Sequence, residues 1–184
     1  MDGGLYDNLG INLIIGSRKP FVRLFSEAGN PYKPSKKGIG SSFVVKRYME
    51  LLADFVTRLN VQRVHTIKKN DFAFWGAQYP ASGSSNNKLG YSKELVENYL
   101  RFIRTDLDRF TDSEAKIIEN HGYAQAELSL ASEFNGKYKK LNLPGPKWPH
   151  PEPAYTNEVT IKPIIKKAQK RKKLKALLEL DLIT

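Results

Sequence analysis

Met1-Asp2-Gly3-Gly4-Leu5-Tyr6-Asp7-Asn8-Leu9-Gly10 opens the chain and is its most informative stretch. Glycine loses more backbone entropy on ordering than any other residue, so a glycine-rich opening needs a structural reason. Gly3 and Gly4 can adopt positive φ and carry no Cβ, which lets the backbone turn sharply while Asp2 directs its carboxylate into a cleft. The same residue types are also ordinary turn chemistry, with no catalytic role for the aspartate. Residue types alone therefore leave both interpretations of Asp2 open.

Outward from this stretch, the chain alternates between strand-like and helix-like patterns. Phe21 to Phe25 predicts a buried strand, and the aromatic-rich segment from Asp71 to Tyr79 predicts another. A helix is predicted from Ser41 or Ser42 onward. Its apolar residues recur at helical spacing and are expected to face the core, namely Val44, Val45, Tyr48, Leu51, Leu52, Phe55, Val56 and Leu59.

The second half of the chain is predicted to be mainly helical. Ser92 to Ile103 has a helical apolar pattern, and Thr111-Asp112-Ser113-Glu114 is a capping box that should start a helix running to about Phe134. Gly122 inside that helix costs about 1 kcal/mol relative to alanine, which predicts close packing against a neighbour. His121 beside it is interpreted as a structural histidine rather than a catalyst.

Five prolines between Leu143 and Ala154 predict a stiff linker or a strap across the surface. The expected organisation is a domain over residues 1–142, a proline-rich linker over 143–160 and a basic segment over 161–184. Ile164 to Ile183 is predicted to form a basic helix. The basic side chains that could meet an anionic membrane surface are Lys162, Lys166, Lys167, Lys170, Arg171, Lys172, Lys173 and Lys175.

Composition narrows the class of protein. The chain has 184 residues, 40% hydrophobic and 27% charged, which is typical of a folded globular protein. It contains no cysteine, which excludes disulfides and thiolate metal sites, and its histidines show no ligand spacing. No apolar run is long enough for a transmembrane helix, and no signal-peptide pattern is present. The net charge of +11 favours anionic partners. Nucleic acid is the weaker option, because the basic segment has no interleaved aromatic residues for base stacking.

The opening motif also carries a family resemblance. Asp-Gly-Gly-Leu-Tyr-Asp-Asn-Leu-Gly resembles the aspartate motif of patatin-like phospholipases, whose Ser-Asp dyad hydrolyses lipid acyl esters. Weaker similarities follow in the family's order over about residues 1 to 133. They comprise Phe21 to Gly29 after the aspartate, Asp71 to Ala77 as the late aromatic strand, and Arg104 to Phe110 with Asn120 to Tyr123 around the last helix.

The resemblance implies an α/β fold, specifically the C-terminal part of a patatin-like three-layer domain with helices on a mostly parallel sheet. It implies that Asp2 is catalytic and that Gly3 and Gly4 hold the turn that aims it. Asp7 and Asn8 are expected to fix the following turn through side-chain to backbone bonds. The substrate of the complete enzyme would be a lipid or phospholipid, and no cofactor or metal is expected.

The sequence lacks two parts of the family pattern, the serine elbow and the glycine-rich oxyanion segment. It contains no Gly-x-Ser-x-Gly serine elbow, and the nearest segments, Gly40-Ser41-Ser42 and Ser82-Gly83-Ser84, lack the second glycine at the required spacing. In relatives, the serine elbow and the oxyanion segment precede the aspartate. We therefore expect a missing N-terminal half of the domain and no activity from this chain alone. A cytoplasmic or peripheral membrane location is expected. The open alternatives are a non-catalytic interaction subunit and an anionic membrane- or nucleic-acid-binding module.

Overall fold

The computed structural model describes residues 7, 9–15, 22–29, 41–66, 72–81, 89–103, 109–134 and 147–170. The strands are β1 (Arg23–Glu27) and β2 (Phe72–Gly76). The helices are α1 (Ile11–Ile15), α2 (Ser41–Val64), α3 (Lys93–Asn98), α4 (Asp112–Glu133), α5 (Pro153–Thr156) and α6 (Glu158–Lys170), and a 3₁₀ turn at Leu100–Phe102 follows α3.

The two strands are parallel and are joined through helix α2, which makes a β-α-β unit. Phe25 lies opposite Phe74, and Glu27 lies opposite Gly76. Parallel neighbours need such a crossover connection, because a tight hairpin cannot reverse the chain direction twice. An α/β fold with parallel strands is therefore confirmed in this coarse form. The described residues contain one sheet of two strands, and the three-layer arrangement stays a prediction.

Strand β1 begins two residues later than predicted and runs on to Glu27, while β2 occupies the middle of the predicted Asp71–Tyr79 segment. Around these strands lies a first hydrophobic core, made by Ile11, Phe25, Val64 and Phe72. Each of the elements α1, β1, α2 and β2 contributes one of these side chains. The β-α-β unit and α1 are consequently held together by a shared apolar centre.

A second hydrophobic core joins the later helices. Its buried side chains come from the segment just before α3, from α3 itself, the 3₁₀ turn, α4 and α6, and they are Tyr91, Leu95, Val96, Leu100, Ile117, Ile161 and Ile165. Trp148 stacks on Tyr91 at a ring-centroid distance of 5.1 Å. Residues 147–170 therefore share a core with α3 and α4. Residues on both sides of position 160 pack in this core, and the domain boundaries at 142 and 160 stay predictions.

Helix α2 begins at Ser41 as predicted, but its apolar face is not part of the core. Val45 is 64% exposed and Phe55 is 59% exposed, and the other large apolar side chains named for this face are also exposed, except for the half-buried Val56. The prediction of a core-facing stripe is wrong for this helix. A helical apolar pattern indicates a surface that excludes water only when another element covers it, and among the described residues no element does so.

Helix α4 begins with the predicted capping box. The Thr111 hydroxyl accepts the Glu114 N–H at 3.3 Å, and the Glu114 carboxylate accepts the Thr111 N–H at 2.6 Å. The helix ends at Glu133, within one residue of the prediction. Gly122, however, is exposed, and a Cβ built on it would meet no atom within 4 Å. The expectation of close packing at Gly122 is therefore wrong.

The predicted helix from Ser92 to Ile103 is shorter than expected. Ser92 accepts the Leu95 N–H and caps α3, which ends at Asn98 and continues as the 3₁₀ turn. The predicted basic helix begins six residues earlier than expected, at Glu158, and includes Pro163. No helix among the described residues is long and apolar enough to cross a membrane.

Candidate functional site

The predicted catalytic residue Asp2 and its turn glycines, Gly3 and Gly4, lie outside the described residues. The structure begins to describe the motif at Asp7, five positions after Asp2. The Asp7 carboxylate accepts the N–H of Ile11 at 3.0 Å and the N–H of Asn12 at 2.8 Å. These bonds satisfy N–H groups that the start of α1 leaves without an intrahelical partner. The prediction that Asp7 fixes the following turn is confirmed, and Asn8 lies outside the described residues.

The rest of that turn is anchored in the protein interior. Gly10 has φ of +64°, a conformation that side-chain-bearing residues rarely adopt, and its N–H donates to the Asp7 carbonyl at 3.2 Å. Ile11 follows and is fully buried in the first core. From the other side, Arg63 at the end of α2 donates to the Asn12 side chain at 2.6 Å. The segment directly after the motif is therefore held in place by the Arg63–Asn12 hydrogen bond and by the burial of Ile11.

The second group of polar residues lies where the two parallel strands end. Glu27 is the last residue of β1 and is buried, and its carboxylate accepts the Gly29 N–H at 2.6 Å and the Gln78 side-chain N–H at 2.9 Å. Burial raises the pKa of Glu27 from its usual value of 4.5, and the bonds to Gly29 and Gln78 oppose that rise. Ligands of open α/β sheets bind outside the carboxyl ends of the strands, so Glu27 has the position of a site residue.

Sequence reasoning missed Glu27. The signal was present, because an acidic residue directly follows the predicted strand from Phe21 to Phe25 in Ser26-Glu27-Ala28-Gly29. What sequence could not supply was Gln78, which lies 51 positions away and reaches Glu27 only because the strands pair in parallel. The arrangement offers a buried carboxyl with two donors. It can hold a proton or accept a hydrogen bond at the sheet end.

Helix α4 contacts this end of the sheet through three polar side chains spaced four residues apart. His121 Nε2 lies 2.9 Å from the Ala77 carbonyl, Gln125 donates to the Tyr79 carbonyl, and Ser129 donates to the Phe74 carbonyl at 2.8 Å. Residues at this spacing share one helix face. The face therefore satisfies backbone carbonyls of β2 and of the turn after it, which fixes α4 against the sheet.

The geometry of His121 supports its predicted structural role. Since the Ala77 carbonyl only accepts hydrogen bonds, Nε2 carries the proton, and Nδ1 has no hydrogen-bond partner among the described residues. Burial lowers the pKa of His121 from its usual 6.5, and the bond to Ala77 opposes that fall. The imidazole is thus kept neutral and stacks on Tyr91 at 6.1 Å.

Of the two serine segments nearest in pattern to a serine elbow, the structure describes one. Ser41 and Ser42 are the first residues of α2, as predicted, and the segment around Ser82 and Ser84 lies outside the described residues. Among the described residues, no group of three or more His, Asp or Glu side chains could hold a metal ion. His150 instead pairs with Glu119, with its Nε2 2.5 Å from a carboxylate oxygen.

The basic segment is partly used for packing. Lys162 on α6 lies 2.8 Å from the Glu94 carboxylate on α3, and that hydrogen bond raises the pKa of Lys162. Lys166 lies 5.4 Å from the ring centroid of Tyr99, while Lys167 is exposed. Lys170 ends α6. The remaining basic residues of the prediction, Arg171, Lys172, Lys173 and Lys175, lie outside the described residues.

No family model, curated protein or solved structure matches this chain.

Proposed function

We propose that this chain is the C-terminal part of a patatin-like lipid acyl hydrolase and that Asp2 is the aspartate of its Ser-Asp dyad. In the complete enzyme a serine oxygen attacks the ester carbonyl carbon, and the Asp2 carboxylate accepts the serine proton. The alcohol leaves, and water then hydrolyses the acyl-enzyme. Backbone N–H groups stabilise the oxyanion in both steps.

The observation that carries the proposal is the motif Asp2-Gly3-Gly4-Leu5-Tyr6-Asp7-Asn8-Leu9-Gly10. Two features of the described residues support it. Asp7 and Gly10 build a fixed turn that begins five positions after Asp2, and a catalytic carboxylate needs a rigid support. The chain then enters two parallel strands with an intervening helix, an order that fits the later part of a three-layer α/β domain.

The proposal assigns ester hydrolysis to a larger polypeptide than this one. The sequence has the dyad aspartate and no Gly-x-Ser-x-Gly elbow, so the covalent route lacks its nucleophile here. The isolated chain is inactive under this proposal, and the serine and the oxyanion loop come from the N-terminal half of the domain. The lipid substrate places the enzyme in lipid degradation, acting in the cytoplasm or at a membrane surface.

The test begins with the DNA upstream of the Met1 codon, where an in-frame Gly-x-Ser-x-Gly segment is expected. The extended polypeptide is then assayed with p-nitrophenyl esters and mixed phospholipid vesicles, beside the isolated chain. Asp2→Asn lowers kcat of the extended form by at least about a thousandfold, as loss of a dyad partner does. Asp7→Asn is the matched control, since it leaves one side-chain acceptor for the α1 N–H groups and preserves most of the activity.

Two results contradict the proposal. Turnover by the isolated chain that disappears in Asp2→Asn would mean that the nucleophile lies within these 184 residues. Equal losses in Asp2→Asn and Asp7→Asn would mean that Asp2 supports the turn and does not take part in the chemistry.

A further inference from the structure

The exposed apolar face of α2 is organised as one continuous surface, which we call the α2 patch. It consists of eight exposed side chains, Val44, Val45, Tyr48, Met49, Leu51, Leu52, Phe55 and Leu59. Successive helical residues are about 100° apart, so these side chains fall within an arc of about 160°. No charged residue between positions 44 and 59 falls within that arc.

The patch has the size of a protein interface. Its exposed surface is on the order of 700 Å² per chain, against roughly 800 Å² per partner in a standard stable interface. Contiguous apolar patches on monomers seldom exceed a few hundred Å². Helix α2 already has a buried side at its C-terminal end, where Asn60 and Val64 lie outside the patch arc, at about 100° and 140° around the helix from the patch centre.

The sequence of the patch is self-complementary. Val44, Tyr48 and Leu52 form one row at four-residue spacing, and a parallel row is formed by Leu51, Phe55 and Leu59. A twofold axis level with the midpoint of positions 51 and 52 places the first row of one copy beside the second row of the other, with Val44 level with Leu59, Tyr48 with Phe55 and Leu52 with Leu51. Rows at this spacing are the ridges that pack into each other's grooves when two helices cross. A twofold interface requires this property, because the same patch must complement itself.

Charges beside the patch fit the same axis. Arg47 and Asp54 lie on one flank, and the axis brings Arg47 of one copy near Asp54 of the other. Within each chain the Arg58 side chain already lies 2.8 Å from the Asp54 carboxylate. Each Asp54 would then lie between two arginines, one from each copy, so opposite charges meet at the rim of the interface.

We infer that the α2 patch binds a second copy of this chain, giving a twofold dimer in which the two α2 helices run in opposite directions. This inference does not depend on the proposed hydrolase function. It commits to the second copy because self-complementary ridges, area and flanking charge all fit one symmetric partner.

The first test measures mass by analytical ultracentrifugation over a range of protein concentrations. The unaltered chain is expected to have a measured mass of twice the 20.9 kDa of one chain. Phe55→Glu should raise the dimer dissociation constant at least about a hundredfold, because a twofold interface buries the new charge once from each copy. Val159→Glu is the matched control, because Val159 is 78% exposed on α6 and lies outside the patch. Circular dichroism verifies that both variants keep the fold.

The second test reports helix direction, and the chain suits it because it has no native cysteine. Tyr48→Cys and Phe55→Cys proteins are mixed and oxidised. An antiparallel pair gives the mixed disulfide, because these two positions face each other across the axis. The antiparallel pair gives little disulfide between two identical cysteines, because the same position in the two copies is about 10 Å apart along the helix direction. That distance is longer than a disulfide can bridge.

Three outcomes overturn the inference. A mass of one chain at every soluble concentration excludes the second copy and leaves the patch to another partner, such as the N-terminal half of the proposed hydrolase domain. A dimer that survives Phe55→Glu places the interface elsewhere. Symmetric Tyr48→Cys crosslinks as the main product would mean that the helices run in the same direction.

Discussion

Helices α2 and α6 both repeat apolar residues at helical spacing, but they have very different surroundings. On α6, Ile161 and Ile165 are fully buried against α3 and α4. On α2, a longer and more apolar helix, Val45 and Phe55 are more than half exposed. The difference teaches that periodicity specifies a face and its width, while burial depends on which element is present to cover that face.

The largest expected effect comes from removing the same side chain in each region. Leu95 on α3 is fully buried, whereas Leu51 on α2 is 44% exposed. Leu95→Ala should lower the free energy of unfolding by about 2–5 kcal/mol, because it removes buried apolar area and leaves a cavity. Leu51→Ala should cost less than about 1 kcal/mol. Urea unfolding at low protein concentration, where α2 patches are unpaired, measures both. Equal losses in the free energy of unfolding for the two variants would contradict the comparison, because they would show that the α2 patch is buried within one chain.

The next effect is a pH dependence of the packed region that arises at His121. Because burial lowers its pKa below 6.5, the unfolded chain binds more protons than the folded chain as pH falls through that value. The stabilisation is thus complete above pH 6.5 and is lost on acidification, at no more than about 1.4 kcal/mol per pH unit. His121→Gln preserves a donor for the Ala77 carbonyl and should remove this slope from the unfolding free energy. His65→Gln, at an exposed position, is the control that should retain it. An unchanged slope in His121→Gln would assign the effect to another group.

A smaller effect is expected on the outer face of α4. Gly122→Ala should raise the free energy of unfolding by roughly 0.5–1 kcal/mol, because an exposed helical glycine has an entropic cost and its new Cβ meets no atom. Gly76→Ala provides the contrast, since its Cβ would lie 3.0 Å from the Tyr79 ring and 3.1 Å from the Glu27 carbonyl oxygen. It should therefore lower stability. If Gly122→Ala also destabilises the protein, that surface has a partner in solution.

The smallest effect concerns the basic side chains of the C-terminal segment. We propose that these charges bind anionic vesicles weakly, at about 1 kcal/mol per basic residue before screening. Replacing Lys166, Lys167, Arg171, Lys172 and Lys173 with Gln should reduce co-sedimentation with phosphatidylserine vesicles at low salt. Lys162 is left unchanged because it pairs with Glu94. High salt should abolish the binding of the unaltered protein, since the Debye length falls to about 3 Å at 1 M. Equal binding of both forms would remove the segment from the membrane account, and tighter binding to a nucleic acid would favour the other alternative.

Local chemistry in the sequence was sufficient for several elements. The capping box at Thr111 and Glu114 fixed the start of α4, and the serine at position 41 marked the start of α2. The role of Asp7 also followed from its residue type and its spacing to the turn. The bonds of the capping box and of Asp7 join residues at most five positions apart, so a linear pattern contains all the participants.

The candidate site was only partly within reach of such patterns. The motif around Asp2 is readable because its residues are contiguous. Glu27 was missed because its partner Gln78 and the carbonyl contacts of His121 depend on strand pairing and on the position of α4 across the sheet. No local pattern contains the distance between positions 27 and 78.

By itself, the sequence determined the positions of β1, β2, α2 and α4 to within a few residues, the charge of its C-terminal segment and the resemblance centred on Asp2. Only the tertiary structure decided that β1 and β2 pair in parallel, that residues 147–170 share a core with α3 and α4, and that the α2 patch is exposed. The physical reason is that propensity, capping and turn geometry act over a few residues. Burial is a property of two surfaces in contact, so it is fixed only when the chain brings distant segments together.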